Sequence, residues 1–367
     1  MKKGTKLLMA LAGLAGAYAG GSYAVVKTAL GMVFGRTSKL KYTTIYRFDD
    51  YERKYPGRYK RVPVEIPSGG LMLKGYLYGE DQGKGLVIFS HGIYSGHEAY
   101  LGGILEMVDR GYQILGFDNR GCYESPGEDS RGLIQGPLDL AAALDFVDSR
   151  EDLKDMPRFL FGHSWGGYSV CAVLNLGYRV DGIVSVAGFS DPMEVTKEMG
   201  TGMYGPAAAS VMPMMRAEYK RRFGANADLN AIRGINSVDT PVLIMHGVGD
   251  TYVQYSGSGI LNHKDEITNP NAQFMPLDYP LRNGHNNIFV SEEAQIATNE
   301  LDERLKAPLA EYKVKSYWDL PEEVQAEYFK DVDRDVTSQV NKELFDEVDR
   351  FYSGIEIRRD GSQDSGK

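Results

Sequence analysis

Short apolar runs recur along the middle of the chain: Leu86 to Phe89, Tyr112 to Phe117, Phe159 to Phe161, Gly182 to Val186, Val242 to Met245 and Gln273 to Leu277. Each is followed by glycine or polar turn residues and then by a helical stretch. Unbroken apolar runs mark strands buried on both faces, and their alternation with helices predicts a parallel sheet. The intervening helices include Tyr100 to Arg110, and Leu138 to Asp148 with Leu140, Leu144 and Val147 on one face. Ahead of the first run, Val62 to Ile66 and Leu71 to Tyr78 flank Pro67-Ser68-Gly69-Gly70, the pattern of a β-hairpin.

Other stretches depart from this texture. Lys2, Lys3 and Lys6 precede 20 uncharged residues, Leu7 to Val26, enough for a helix to cross a ~30 Å hydrocarbon layer. Three readings compete for residues 1–35: an uncleaved anchor with its basic end in the cytoplasm, a secretory signal cleaved after Ala17-Tyr18-Ala19, or a helix packed on the domain. The first two make this a membrane anchor or signal segment, followed by a polar, tyrosine-rich connector over 36–61.

Between Val186 and Val242 there is no strand signal but there are Met193, Met199, Met203, Met212, Met214 and Met215. That length predicts a helical cap insertion at about 188–240. Its thioethers either fill irregular helical packing or line an apolar pocket, with Met199, Met203 and Met212 as candidate substrate contacts. The domain proper spans 62–306. Over 307–359 the chain is strongly charged, and Val324, Tyr328, Val332, Val336, Val340, Leu344 and Val348 recur at i+4, predicting one long helix packed on its own domain. Residues 360–367 read as a disordered polar end.

Composition narrows the chemistry. With 43% hydrophobic and 25% charged residues in 367, the chain has enough apolar content for a large core without disulfides or a structural metal. Its two cysteines, Cys122 and Cys171, lack the spacing of a zinc site, and the sequence implies no metal or organic cofactor. A net charge of -9 argues against a nucleic-acid partner.

Gly162-His163-Ser164-Trp165-Gly166 lies between the strand ending at Phe161 and an apolar helix through Val170 and Val173. A sharp strand-to-helix turn there exposes Ser164 as a nucleophile, with glycines where side chains would collide. A serine hydroxyl needs a base to take its proton. Of six histidines, His285 stands on a glycine-flanked loop after the last strand, whereas His91 and His246 precede turn glycines and His163 sits inside the turn; His97 and His263 are the alternatives. Asp250, in His246-Gly247-Val248-Gly249-Asp250, is the candidate acid to orient the imidazole, and Asp191 the runner-up. Backbone N–H groups of Ile93 and Trp165 are the candidate oxyanion donors. The Trp165 side chain either walls the pocket or belongs to the core.

Ser90-His91-Gly92, Asp118-Asn119-Arg120-Gly121, the turn around Ser164, the loop ending at Asp250 and Gly284-His285 together resemble an α/β-hydrolase of the serine aminopeptidase and monoacylglycerol-lipase-like branch. The similarity runs roughly from Val62 to Lys306. It implies the α/β-hydrolase fold, a mostly parallel central sheet with helices on both faces and a helical cap insertion, and a Ser-Asp-His triad in that order. The function it implies is carboxylesterase-like hydrolysis of a small-molecule ester through an acyl-enzyme. Acylglycerol lipase, thioesterase and serine peptidase activities use the same triad, and a non-catalytic binding protein on this fold is the rival class. The N-terminal run places the enzyme on a membrane with its hydrolase domain extracytoplasmic, or secreted after cleavage.

Overall fold

The computed structural model describes residues 20–356. Eight strands form one sheet in the order β1-β2-β4-β3-β5-β6-β7-β8: β1 Arg61–Ser68, β2 Leu71–Tyr78, β3 Leu86–Ser90, β4 Gln113–Phe117, β5 Arg158–His163, β6 Gly182–Val186, β7 Val242–Gly247 and β8 Ala272–Leu277. β1 and β2 form the expected antiparallel hairpin, and β2 pairs antiparallel with β4; all other pairs are parallel. Gly69 and Gly70, both at positive φ (49° and 82°), make the two-residue turn between β1 and β2, a conformation open to glycine because it lacks a Cβ.

The helices are α1 (residues 20–33), α2 Phe48–Lys54, α3 Leu101–Asp109, α4 Gln135–Ser149, α5 Trp165–Ala172, α6 Pro192–Tyr204, α7 Met212–Phe223, α8 Ala231–Asn236, α9 Glu292–Tyr312, α10 Glu322–Lys330, α11 Arg334–Thr337 and α12 Lys342–Ser353. Successive strand residues feed opposite faces of the sheet. Leu86, Ile88, Leu160, Ile183 and Ile244 join one core with α4, α5 and α8, while Val87, Phe89, Phe161, Val184 and Met245 join the other with α3 and α12. The apolar runs of β3 to β7 thus reflect burial on both sides, whereas the run in the edge strand β8 does not: of its residues only Leu277 is buried, because the strand has a neighbour on one side alone. This is the α/β-hydrolase architecture, with α6, α7 and α8 forming the helical insertion between β6 and β7.

The single long helix expected near the C-terminus is three helices. The Asp333 side chain accepts from the N–H groups of Asp335 and Val336, and that of Asn341 from Leu344, so each starts a new helix. Another long helix, α9, runs through the boundary placed at 306/307. The stripe does pack on its own domain: Leu344 and Val348 are fully buried, and the Tyr352 hydroxyl donates to the Leu160 carbonyl on β5 (2.8 Å).

Most of the apolar run from Leu7, and the tail from 360, lie outside the described residues. Among the described residues, no helix is long and apolar enough to cross a membrane. On α1 and just beyond it, Val26, Leu30 and Phe34 are buried in the same core as α4, whereas Val25 and Met32 face outward. This part of the segment is packed on the domain. The Phe34 carbonyl accepts from the Ser130 N–H (2.8 Å), and the Arg36 guanidinium donates to the carbonyls of Tyr123, Ser125 and Gly127. The connector in turn binds the C-terminal extension, through Tyr46 N–H to the Ser338 hydroxyl (2.8 Å) and Arg334 to the Thr43 carbonyl (3.1 Å).

Candidate active site

At the end of β5 the chain reverses into α5 with Ser164 at φ 55°, a left-handed conformation that L side chains rarely adopt. The turn is held by Ser164 N–H to the Val186 carbonyl (2.9 Å). It exists because of its glycines. A Cβ on Gly162 would lie 2.2 Å from the Gly166 carbonyl oxygen, and one on Gly166 only 1.9 Å from that of Ser90. Trp165 opens α5, so its N–H has no carbonyl one turn back within the helix. Its indole lies in the core and donates to the Leu133 carbonyl (2.7 Å), so it does not wall a pocket.

Three residues far apart in sequence meet at this turn. The Ser164 hydroxyl lies 2.9 Å from Nε2 of His285, and Nδ1 of His285 lies 2.6 Å from Oδ2 of Asp250. A carboxylate only accepts, so Nδ1 carries the proton and Nε2 is free to receive one from the serine. Asp250 is buried and fully engaged. Its Oδ1 accepts from the N–H groups of Tyr252 (2.8 Å) and Val253 (3.0 Å), and Nε2 of His246 lies 3.2 Å from its Oδ2. Burial pushes the Asp250 carboxyl upward, but hydrogen bonds from His246 and His285 outweigh it and hold the group well below the usual carboxylate range. It therefore stays ionised beside the imidazole.

The loops need close backbone approach. Gly249 N–H donates to the Asn283 carbonyl (2.8 Å), where a Cβ on Gly247 would come within 2.3 Å of the same oxygen. The ring of Tyr252 covers His285 with centroids 5.4 Å apart. On the other side His163 lies 4.8 Å away. His163 is buried: its Nε2 bonds the His285 carbonyl (2.9 Å), so its Nδ1 accepts from the Tyr100 hydroxyl (2.7 Å), which accepts from Gly92 N–H (3.1 Å). Burial, followed by the proximity of His285, depresses its basicity well below an ordinary histidine's, so the ring is neutral. His91 fastens the same loop, donating from Nδ1 to the Gly92 carbonyl (2.7 Å) and accepting at Nε2 from Asn119 N–H (2.9 Å). Ile93 is the next residue.

The alternatives to these residues are engaged elsewhere. Asp191 caps α6, accepting from Met193 N–H (2.7 Å). His97 is buried against Asp118 (2.7 Å), and His263 bonds Glu266 (2.8 Å). Met199 and Met203 are 38% and 66% exposed and Met212 is half-buried; the cap methionine that enters the core is Met215. Sequence reasoning assigned His246 to a turn and gave no role to Tyr252 or Tyr100. The i, i+4 spacing of His246 and Asp250 carried a signal for the first. The other two are brought in by folding alone.

Residues 81–233, which include Ser164 but neither Asp250 nor His285, match the family described as Serine aminopeptidase, S33. An uncharacterized protein, YfhR, of Salmonella typhi is 26% identical over 175 residues, 47% of this chain and 56% of that protein, so the similarity spans little more than half the relative's length. Among solved structures, the esterase Pf2001 of Pyrococcus furiosus superposes with a TM-score of 0.53 at 19% identity, covering 77% of this chain and 98% of that one. By fold the chain is an α/β-hydrolase, and the segment bearing Ser164 is similar to the serine aminopeptidase family.

Proposed function

We propose that the chain is a carboxylic ester hydrolase acting through Ser164, His285 and Asp250, and the observation that carries this is the unbroken hydrogen-bonded line from the Ser164 hydroxyl through the imidazole to a buried, ionised Asp250. Ser164 Oγ attacks the ester carbonyl while its proton passes to His285 Nε2. The carbonyl π electrons become an oxyanion facing the N–H groups of Ile93 and Trp165. As the tetrahedral centre collapses, the alcohol leaves with the proton from Nε2. Water then attacks the acyl-enzyme, again losing a proton to Nε2, and the acid departs as Ser164 is reprotonated. Asp250 keeps the imidazole in the required tautomer and stabilises the imidazolium.

An ester is favoured over an aminopeptidase substrate because the cavity lined by Ile93 and Asn286 offers no charged residue to pair with the latter's free ammonium, and the cap carboxylates Glu194 and Glu198 hold other partners. The cap carboxylate of Glu198 already accepts from Gln254 N–H (3.0 Å) and from Ser258 N–H (2.7 Å), and Glu194 is bound to Ser190. The test is turnover of p-nitrophenyl esters from acetate to palmitate beside an aminoacyl anilide, with Ser164→Ala as control. Ester turnover that vanishes in the control is expected. Cleavage of the anilide alone would overturn the reading in favour of a peptidase.

On the lysines and the apolar run alone we propose a membrane-anchored enzyme with its hydrolase domain outside the cytoplasm, although the end of that run, residues 20–26, belongs to the helix packed on the domain. N-terminal sequencing of the protein recovered from membranes separates this from secretion: a start at Gly20 would mean cleavage.

A further inference from the structure

A cavity of about 360 Å³, within the size range of small-molecule sites, lies against the loops that carry Ile93 and His285, although no triad residue lines it. Its wall includes Ile93, the residue offering the oxyanion N–H, and Asn286, the neighbour of His285. Its floor is aromatic, with Phe89, Tyr100, Phe289 and Phe345, and not one of its lining residues carries a charge. The remaining walls come from the connector, at Ile45, Tyr46 and Tyr51, and from the C-terminal extension, at Thr337 to Val340. Both segments lie outside the residues that match the hydrolase family. The adjoining cavity of about 610 Å³ shares Tyr46, Gly102 and Val340 but is also lined by Lys54, Glu106, Asp109, Arg282 and Glu292, so of these two neighbours only the one at the catalytic loops has a lining free of charged residues.

We propose that this cavity receives the alkyl arm of a neutral ester, so that the two flanking segments, rather than the cap methionines, set chain-length preference. This rests on the ester-hydrolase reading above. A polar or charged arm would lose its hydration there with nothing to replace it, whereas an alkyl arm gains from leaving water. From a carbonyl held at Ser164 the arm would enter it between Ile93 and Asn286. The cavity is closed by two chain segments that bind each other, through Tyr46 to Ser338 and Arg334 to Thr43, and so has a defined size.

The experiment is kcat/KM for two ester series, one varied in the acyl chain and one in the alcohol, for the full chain and for Ala99→Phe and Val340→Ala, both at the cavity wall. In the unaltered protein one series should rise about fourfold per buried methylene and then level off. Ala99→Phe should level off at a shorter chain while retaining turnover of the acetate ester, and Val340→Ala should level off at a longer one. A profile that is flat in both series, or that neither substitution moves, overturns the proposal and leaves the ester reading standing. Absence of turnover on every ester overturns both.

Discussion

The imidazole of His163, inside the turn that carries the nucleophile, is joined to the backbone carbonyl of His285 by a 2.9 Å hydrogen bond. Because the same ring accepts from Tyr100, and Tyr100 from Gly92, one buried side chain ties the loop of the base to the loop before Ile93. Replacing it by phenylalanine keeps a ring against Phe289 but leaves the Tyr100 hydroxyl and the His285 carbonyl without their partner. The expected result is a fall in kcat of roughly 10- to 100-fold, as misplacement near the reacting atoms produces. Steady-state kinetics on a short ester check this, and an unchanged kcat would remove His163 from the positioning of the site.

The same residue predicts acid sensitivity. The folded protein holds His163 neutral, below the 6.5 of a free histidine, so the unfolded chain binds the extra proton first. Stability from this group is complete above about pH 6.5 and is lost as pH falls toward the folded value. His91 is depressed in the same direction by burial. Denaturant unfolding between pH 7 and 5 should therefore show a declining stability whose slope is reduced, not abolished, in His163→Phe.

Ser164→Ala should lower kcat by about 10⁴-fold or more without loss of fold. Asp250→Asn should come close, at about 10³- to 10⁴-fold, since an amide can present its N–H to His285 and favour the wrong tautomer. Asp191→Asn should leave kcat near that of the unaltered protein, because its contacts are those of a helix cap. Parallel kinetics of the three variants provide the check; a larger loss for Asp191→Asn would reassign the acid.

Gly166→Ala should fail to give a stable protein. Its Cβ would fall 1.9 Å from a backbone oxygen of β3, which has no flexible end to move aside. A loss of about 4 kcal/mol or more is expected, readable as a lowered melting temperature or absence of soluble protein.

Removing residues 1–34 should destabilise the domain well beyond any effect of removing 1–19. The longer cut takes away Val26, Leu30 and Phe34, each buried in the main core and each contributing about 1.5–3 kcal/mol. Thermal melts of the two truncations compare them directly.

Local pattern determined the sheet strands, the β1–β2 hairpin, the helical insertion, and the nucleophile turn, because buried strands need apolar runs and a crowded turn needs glycine at Gly162 and Gly166. It also singled out Asp250 and His285, since each follows a strand that ends on the sheet edge bearing Ser164. Tertiary structure alone decided what surrounds them. The breaks at Asp333 and Asn341 came from side-chain caps competing with an apolar stripe that, taken alone, favours one long helix. The bonds of His163, the cover of Tyr252 and the cavity between residues 45–51 and 337–345 join positions separated by tens to hundreds of residues. No local periodicity encodes such meetings, because they arise only when the sheet brings distant loops to one edge.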